Sequence, residues 1–306
     1  MRWDKKGLCF SKENLPQWAQ QSALQPTPLL LNKDVIRVFV GMRDNEGISR
    51  IGYVDLSAQD PSCILDTSQS PLLDIGVPGA FDDNGVVPSA VIHHDHTIYL
   101  YYAGYHLSNK VRFCVFSGLA ISKNNGQSFE RVQRSPVFER TESELLFRVP
   151  HSVIIESGKW RFWYGGGDKF ITHQEKTLPV YDVKYLESSS PTIIPSIGET
   201  ILTFANSDEY RVARPYVVFD QGIYKMFCCV STLSKGYRLG YAESEDGIKW
   251  KRCDEKLGMD VSNDDSWDSQ MMGYPSFIRT PYGSYLFYNG NNYGEQGFGY
   301  AVFVEK

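Results

Sequence analysis

Apolar and polar positions along the chain follow one recurring order: a proline, an apolar strand, a short polar turn, then an apolar-aromatic strand ending near glycine. It runs from Pro26 to Gly41, Pro88 to Gly104, Pro150 to Gly165, Pro215 to Val230 and Pro275 to Gly290. These prolines are spaced 62, 62, 65 and 60 residues apart, so five units fill the 306 residues. A fixed period of this length marks a repeat architecture. Each unit has a second half with a further strand and turn. Ser117–Phe129 matches Leu239–Trp250, and the Asn125-Gly126 and Asp246-Gly247 pairs predict hairpin turns. Gly7–Trp18 resembles such a second half detached from its first, while the C-terminal Gly297–Phe303 stops partway through a unit. The expectation is an all-β, five-bladed β-propeller spanning 1–306 as a single domain. Residues near 5–20 would close the last blade, near 275–304. Closing a ring in this way removes exposed sheet edges. Asp168–Thr177 and Glu187–Glu199 read as loops within the third unit.

Composition agrees with many short strands: 19 Tyr, 17 Phe and 6 Trp, with 26 Gly and 15 Pro spread along the chain. Charge is nearly balanced, 31 Lys and Arg against 36 Asp and Glu, with no basic face for nucleic acid phosphate. No apolar run approaches the ~20 residues needed to cross a bilayer. The start lacks the apolar core of a secretory signal. Six cysteines without a CxxC pair suit reduced thiols, so a soluble cytoplasmic protein is expected. His93-His94-Asp95-His96 lies in a strand-to-strand turn and is read as turn rather than metal site; no metal or cofactor is expected.

Five units with prolines opening the inner strands and Tyr-rich second strands resemble the five-bladed propeller glycosidases: glycoside hydrolase families 43, 32, 68 and 130. Arg43-Asp44, Phe81-Asp82-Asp83-Asn84-Gly85 and Tyr288-Asn289-Gly290-Asn291, with Gly297-Phe298-Gly299-Tyr300, are similar to a divergent predicted-glycosidase branch of that group. The resemblance implies a substrate over the propeller axis. It breaks at one position. Families 43, 32 and 130 typically place an essential Asp immediately before the proline; here Gln25, Val87, Val149, Arg214 and Tyr274 stand there.

Acids instead lie six residues before the proline, at Asp82, Glu144 and Glu209, with Asp268 beside the equivalent Ser269. Glycoside cleavage needs two carboxyls, one protonated and one ionised. Asp82, Asp83 and Glu209 are therefore the catalytic candidates, and turn or ion-pair roles are the alternative. Arg43, Arg148, His151, Arg211 and Arg214 cluster around the same prolines, and arginine forks suit carboxylate or phosphate. With Asp44, Asp268, Tyr274 and Trp267 they form the candidate substrate-binding set. Tyr293 and Trp3 are further stacking candidates. The expected function is cleavage or transfer of a glycosyl group on an anionic or phosphate-linked sugar. A non-catalytic glycan-binding propeller or scaffold is the rival.

Overall fold

The computed structural model describes residues 1–304. Strand β1 (Trp3–Ser11) comes first. β2 (Ala23–Asn32), β3 (Val35–Arg43), β4 (Ser49–Ser57) and β5 (Ile64–Thr67) then pair in order as an antiparallel ladder. β6 (Val86–His94), β7 (Thr97–Leu107), β8 (Phe113–Ser122) and β9 (Glu130–Arg131) form the next. β10 (Phe147–Glu156), β11 (Lys159–His173), β12 (Lys176–Ser188) and β13 (Glu199–Leu202) follow. So do β14 (Glu209–Asp220), β15 (Ile223–Thr232), β16 (Arg238–Ser244) and β17 (Lys251–Arg252). β18 (Gly273–Thr280), β19 (Gly283–Asn289) and β20 (Gly297–Phe303) make the last ladder, and β1 pairs antiparallel on β20. The chain is all-β in architecture.

Local sequence explains the turns. β6–β7 is joined through Asp95 and His96, β10–β11 through Ser157 and Gly158, and β14–β15 through Gln221 and Gly222, all with positive φ. Two successive positive-φ residues make the tight turn whose twist matches antiparallel strands. The histidine-rich segment is thus a hairpin tip. Asn125 and Gly126 adopt the same pair of φ values between β8 and β9, as their sequence predicts. One expected loop is not a loop. Asp168–Thr177 forms the end of a long β11–β12 hairpin, paired through His173↔Lys176. A bulge between Gly166 and Lys169 breaks the apolar alternation there, which hides the hairpin in the sequence.

Apolar side chains from neighbouring ladders interdigitate. Ile36, Val38 and Val54 pack with Phe287 and Tyr300, joining the first ladder to the last. Phe39 and Ile51 meet Leu100 and Tyr102. Tyr101 and Leu119 meet Phe162 and Leu186, Trp163 and Val183 meet Met226 and Val212, and Phe227 and Tyr241 meet Leu286 and Tyr288. Trp3 of β1 sits in this last core, edge-on to Phe303 at 5.2 Å. A separate cluster joins Leu24, Val87, Phe147 and Val149 of the inner strands β2, β6 and β10 to Ala103 and Val115 of β7 and β8.

Candidate functional site

Each inner strand loses register at its proline: between Leu24 and Thr27, Pro88 and Ala90, Pro150 and Ser152, Ala213 and Tyr216, and Gly273 and Ser276. A bulge re-aims the residue it carries, here Gln25, Arg214 and Tyr274, while Val87 and Val149 stay paired and the break falls just after their prolines. The residues before the prolines, Gln25, Val87, Val149, Arg214 and Tyr274, all turn into one cavity of about 460 Å³. Three of them, Gln25, Arg214 and Tyr274, sit in the left-handed region at φ +57°, +48° and +54°. Such strain costs ~1–3 kcal/mol per residue and persists only where the surroundings enforce it. Here they do. The Gln25 N–H donates to Asn289 Oδ1 at 2.8 Å, and the Tyr274 N–H to Cys229 Sγ at 2.9 Å. Arg214 reaches across to the first ladder. Its Nη1 donates to Gln25 Oε1 at 2.9 Å, and its Nη2 to the Pro26 carbonyl and Thr27 Oγ1 at 2.9 and 2.8 Å.

The cavity is basic. Arg43, Arg112, Arg211 and Arg214 line it, and among the described residues no carboxylate does. Five arginines are buried in the described structure; Arg37, Arg148 and Arg161 are ion-paired with Asp55, Glu144 and Glu156. Arg211 and Arg214, 7 % and 1 % exposed, have no acid partner among the described residues. Arg211 donates to Ser231 Oγ from Nε and Nη2 at 3.2 and 3.1 Å, and its guanidinium lies 4.3 Å from the Tyr237 ring centroid. Burial works against its charge, but the surrounding Tyr181, Tyr237, Tyr210 and Tyr274 oxygens outweigh that and hold it firmly cationic. Burial pushes Arg214 down to about 10, still charged at neutral pH. His151 beside it is pushed well below its ordinary value, by burial first and by Arg214 second, so it is neutral. Both carry a buried nitrogen, Arg214 Nε and His151 Nδ1, with no protein partner among the described residues.

The acids occupy other places. Asp82 accepts from Tyr102 Oη at 3.2 Å and Arg131 Nε at 2.9 Å. Glu144 accepts from Tyr164 Oη at 2.7 Å and pairs with Arg148 Nε at 2.6 Å. Glu209 takes both forks of Arg252 at 2.7 and 2.9 Å. Asp268 accepts from Tyr288 Oη at 3.0 Å and pairs with Lys5 Nζ at 2.6 Å. Arg131, Arg252 and Lys5 stand on β9, β17 and β1, the outermost strands of their ladders. Asp82, Glu209 and Asp268 are therefore clasps between the entry segment and the far edge of their own ladders, whereas Glu144 is held by Arg148 of the inner strand that follows it. Asp83, half-buried, accepts from the Gly79 N–H at 2.8 Å and lies 3.2 Å from His106 Nδ1. This corrects the expectation of a converging catalytic set: Asp82, Asp83 and Glu209 do not line the cavity.

Of the substrate-binding candidates, Arg43, His151, Arg211, Arg214 and Tyr274 do line it. Asp44, Arg148, Asp268 and Trp267 do not. Asp44 closes its own turn by accepting the Ile48 N–H at 3.0 Å. Arg148 is consumed by Glu144 and the Glu139 carbonyl, and Trp267 stacks on Tyr288 at 5.0 Å. Tyr293 lines the cavity, whereas Trp3 packs in the core. Sequence reasoning missed Tyr105, Arg112, Tyr181 and Tyr237. Tyr105 follows the last glycine of a second strand, and that position is the one signal that marked it. Tyr181 rides on the unforeseen hairpin.

No family model matches the chain. Its fold is similar to that of solved glycoside hydrolases. It superposes on the alpha-L-arabinofuranosidase from Lactobacillus brevis with a TM-score of 0.70 at 11% identity, covering 97% of this chain and 95% of that one. A thermostable family-43 glycoside hydrolase gives 0.69 at 14%, covering 97% and 94%. Sucrose-6-phosphate hydrolase from Lactobacillus gasseri gives 0.67 at 13%, covering 100% of this chain and 61% of that one. By sequence, the chain belongs to the family of the uncharacterized protein Rv1502 of Mycobacterium tuberculosis strain H37Rv. The two are 32% identical over 302 residues, 99% of each chain. The uncharacterized protein MT1551 of strain CDC 1551 is similar to the same extent.

Proposed function

We propose that this protein is a carbohydrate-active enzyme that binds an anionic sugar in a cavity on the axis of a five-bladed, single-domain propeller. The ring reading is supported by the core between the first ladder and the last and by the β1–β20 pairing. The ligand reading is carried by one observation: the two buried arginines without an acid partner both face this cavity. A buried charge left unpaired is costly, and a ligand anion is the partner that relieves it. Paired-carboxyl hydrolysis finds no acid in the lining. The chemistry that fits is glycosyl transfer with the leaving group departing as an anion, its charge met by preorganised arginines. Neutral His151 faces the same cavity and can hydrogen-bond a ligand hydroxyl. The same family of neighbours carries glycoside hydrolases, which supports the carbohydrate part of the reading. The six cysteines are free, in keeping with a cytoplasmic site of action.

The acid-free lining also favours a second reading, a glycan-binding propeller without catalysis. Turnover assays on neutral aryl glycosides, glycosyl phosphates and nucleotide sugars, run beside calorimetric binding, separate them. The enzyme reading expects turnover only where the leaving group is anionic. Tight binding without turnover supports the binding module, and fast hydrolysis of a neutral aryl glycoside refutes the reading of the cavity.

A further inference from the structure

Resting on the anionic-sugar reading, we propose that Arg43, Arg112 and Arg211 form a clamp for the phosphoryl group of a phosphorylated sugar. The four guanidiniums of the cavity are not equivalent. Arg214 spends both its terminal nitrogens on Gln25, Pro26 and Thr27, so it contributes charge behind the site but no free fork. Arg43 and Arg112 make no side-chain hydrogen bond or ion pair among the described residues. Arg211 uses Nε and Nη2, leaving Nη1 without a partner there. These free donors belong to one locus. Burial raises the Tyr105 phenol and Tyr181 adds to the rise, while Arg43, Arg211 and Arg112 all act on it in the opposite sense. Tyr105 and all three arginines line the one cavity, and the Tyr105 hydroxyl is likewise unpartnered among the described residues.

Charge and oxygen count decide the class of anion. A carboxylate brings one negative charge and two oxygens. It would leave most of the clamp uncompensated, with a 7 % exposed guanidinium inside it. A phosphoryl group brings about −1.5 to −2 charges and three acceptor oxygens, one for each guanidinium. The tyrosines that surround Arg211, with Tyr237 at 4.3 Å and Tyr181 at 5.6 Å, leave an aromatic wall beside the anion for the apolar face of a sugar ring. The wall continues through Tyr274, whose ring centroid lies 5.6 Å from that of Tyr237.

Isothermal titration tests this with inorganic phosphate, glucose 6-phosphate, glucuronate and glucose as probes. Phosphate and the phosphorylated sugar should bind roughly tenfold or more tightly than glucuronate. Arg211→Lys keeps a charge but loses the fork, and it should weaken phosphate by about tenfold. Arg112→Ala, at an exposed position, should weaken it severalfold without change in melting temperature. Glucuronate binding as tightly as phosphate overturns the phosphoryl assignment and leaves the anionic-sugar reading standing. Glucose binding while no anion does overturns both. Phosphate affinity unchanged in both variants overturns the clamp.

Discussion

Glu209→Gln distinguishes a clasp from a catalytic acid. In the folded protein the Glu209 carboxylate takes both forks of Arg252 at 2.7 and 2.9 Å, and one oxygen also accepts the Ala205 N–H at 2.8 Å. The two side chains are 5 % and 17 % exposed. Removing one member of a buried pair costs ~3–5 kcal/mol because the other charge is stranded. Arg252 is better placed than that limit: it keeps Asp254 at 2.7 Å and reaches some solvent, and the amide oxygen can still accept from Ala205. The expected loss is therefore about 2 kcal/mol. At roughly 2 °C per kcal/mol for a chain of this size, the melting temperature should fall by about 4 °C. Differential scanning calorimetry measures that shift, and phosphate titration should give a wild-type affinity. Combining Glu209→Gln with Arg252→Met should cost less than the two single losses added together, because neither charge is then stranded. A Gln variant of unchanged stability with lost binding or turnover would refute the clasp and return Glu209 to the site.

Two further outcomes follow from the same geometry. Deleting residues 1–20 removes β1 from β20, takes Lys5 from Asp268 and leaves a bare sheet edge, so the truncated chain should aggregate on size-exclusion chromatography; a monomer with unchanged melting temperature would contradict this. His151 is held neutral in the fold, so the unfolded chain binds more protons below the ordinary histidine value of about 6.5, and stability that is complete above that pH should decline as pH falls through the window beneath it. The slope approaches about 1.4 kcal/mol per pH unit and should be absent in His151→Gln denaturation curves.

Proline spacing made the ladders legible because proline, with no N–H to donate, is tolerated where the ladder breaks register, and such a break recurs in each repeat. The same spacing marked Gln25, Arg214 and Tyr274, whose side chains do reach the cavity. The acids were misplaced for a geometric reason. Distance along the chain from Asp82 or Glu209 to the proline is the same whether the side chain faces the axis or the ladder's outer strand. Arg131 and Arg252, which decide the matter, lie 49 and 43 residues away in sequence. Arg112 and Tyr181 escaped because they sit outside the repeated pattern, one between β7 and β8 and the other opposite the bulge that masks the β11–β12 hairpin.

The left-handed backbone at Gln25, Arg214 and Tyr274 sets stability and recognition against each other at the same three residues. Glycine or asparagine there would relax the chain but empty the cavity wall. A laboratory selection for heat resistance alone, run without ligand, should drift toward such replacements, and its winners should be hardier proteins that no longer hold the anion. Selection under ligand should keep the strained side chains and gather its gains elsewhere, in the ladders and their clasps.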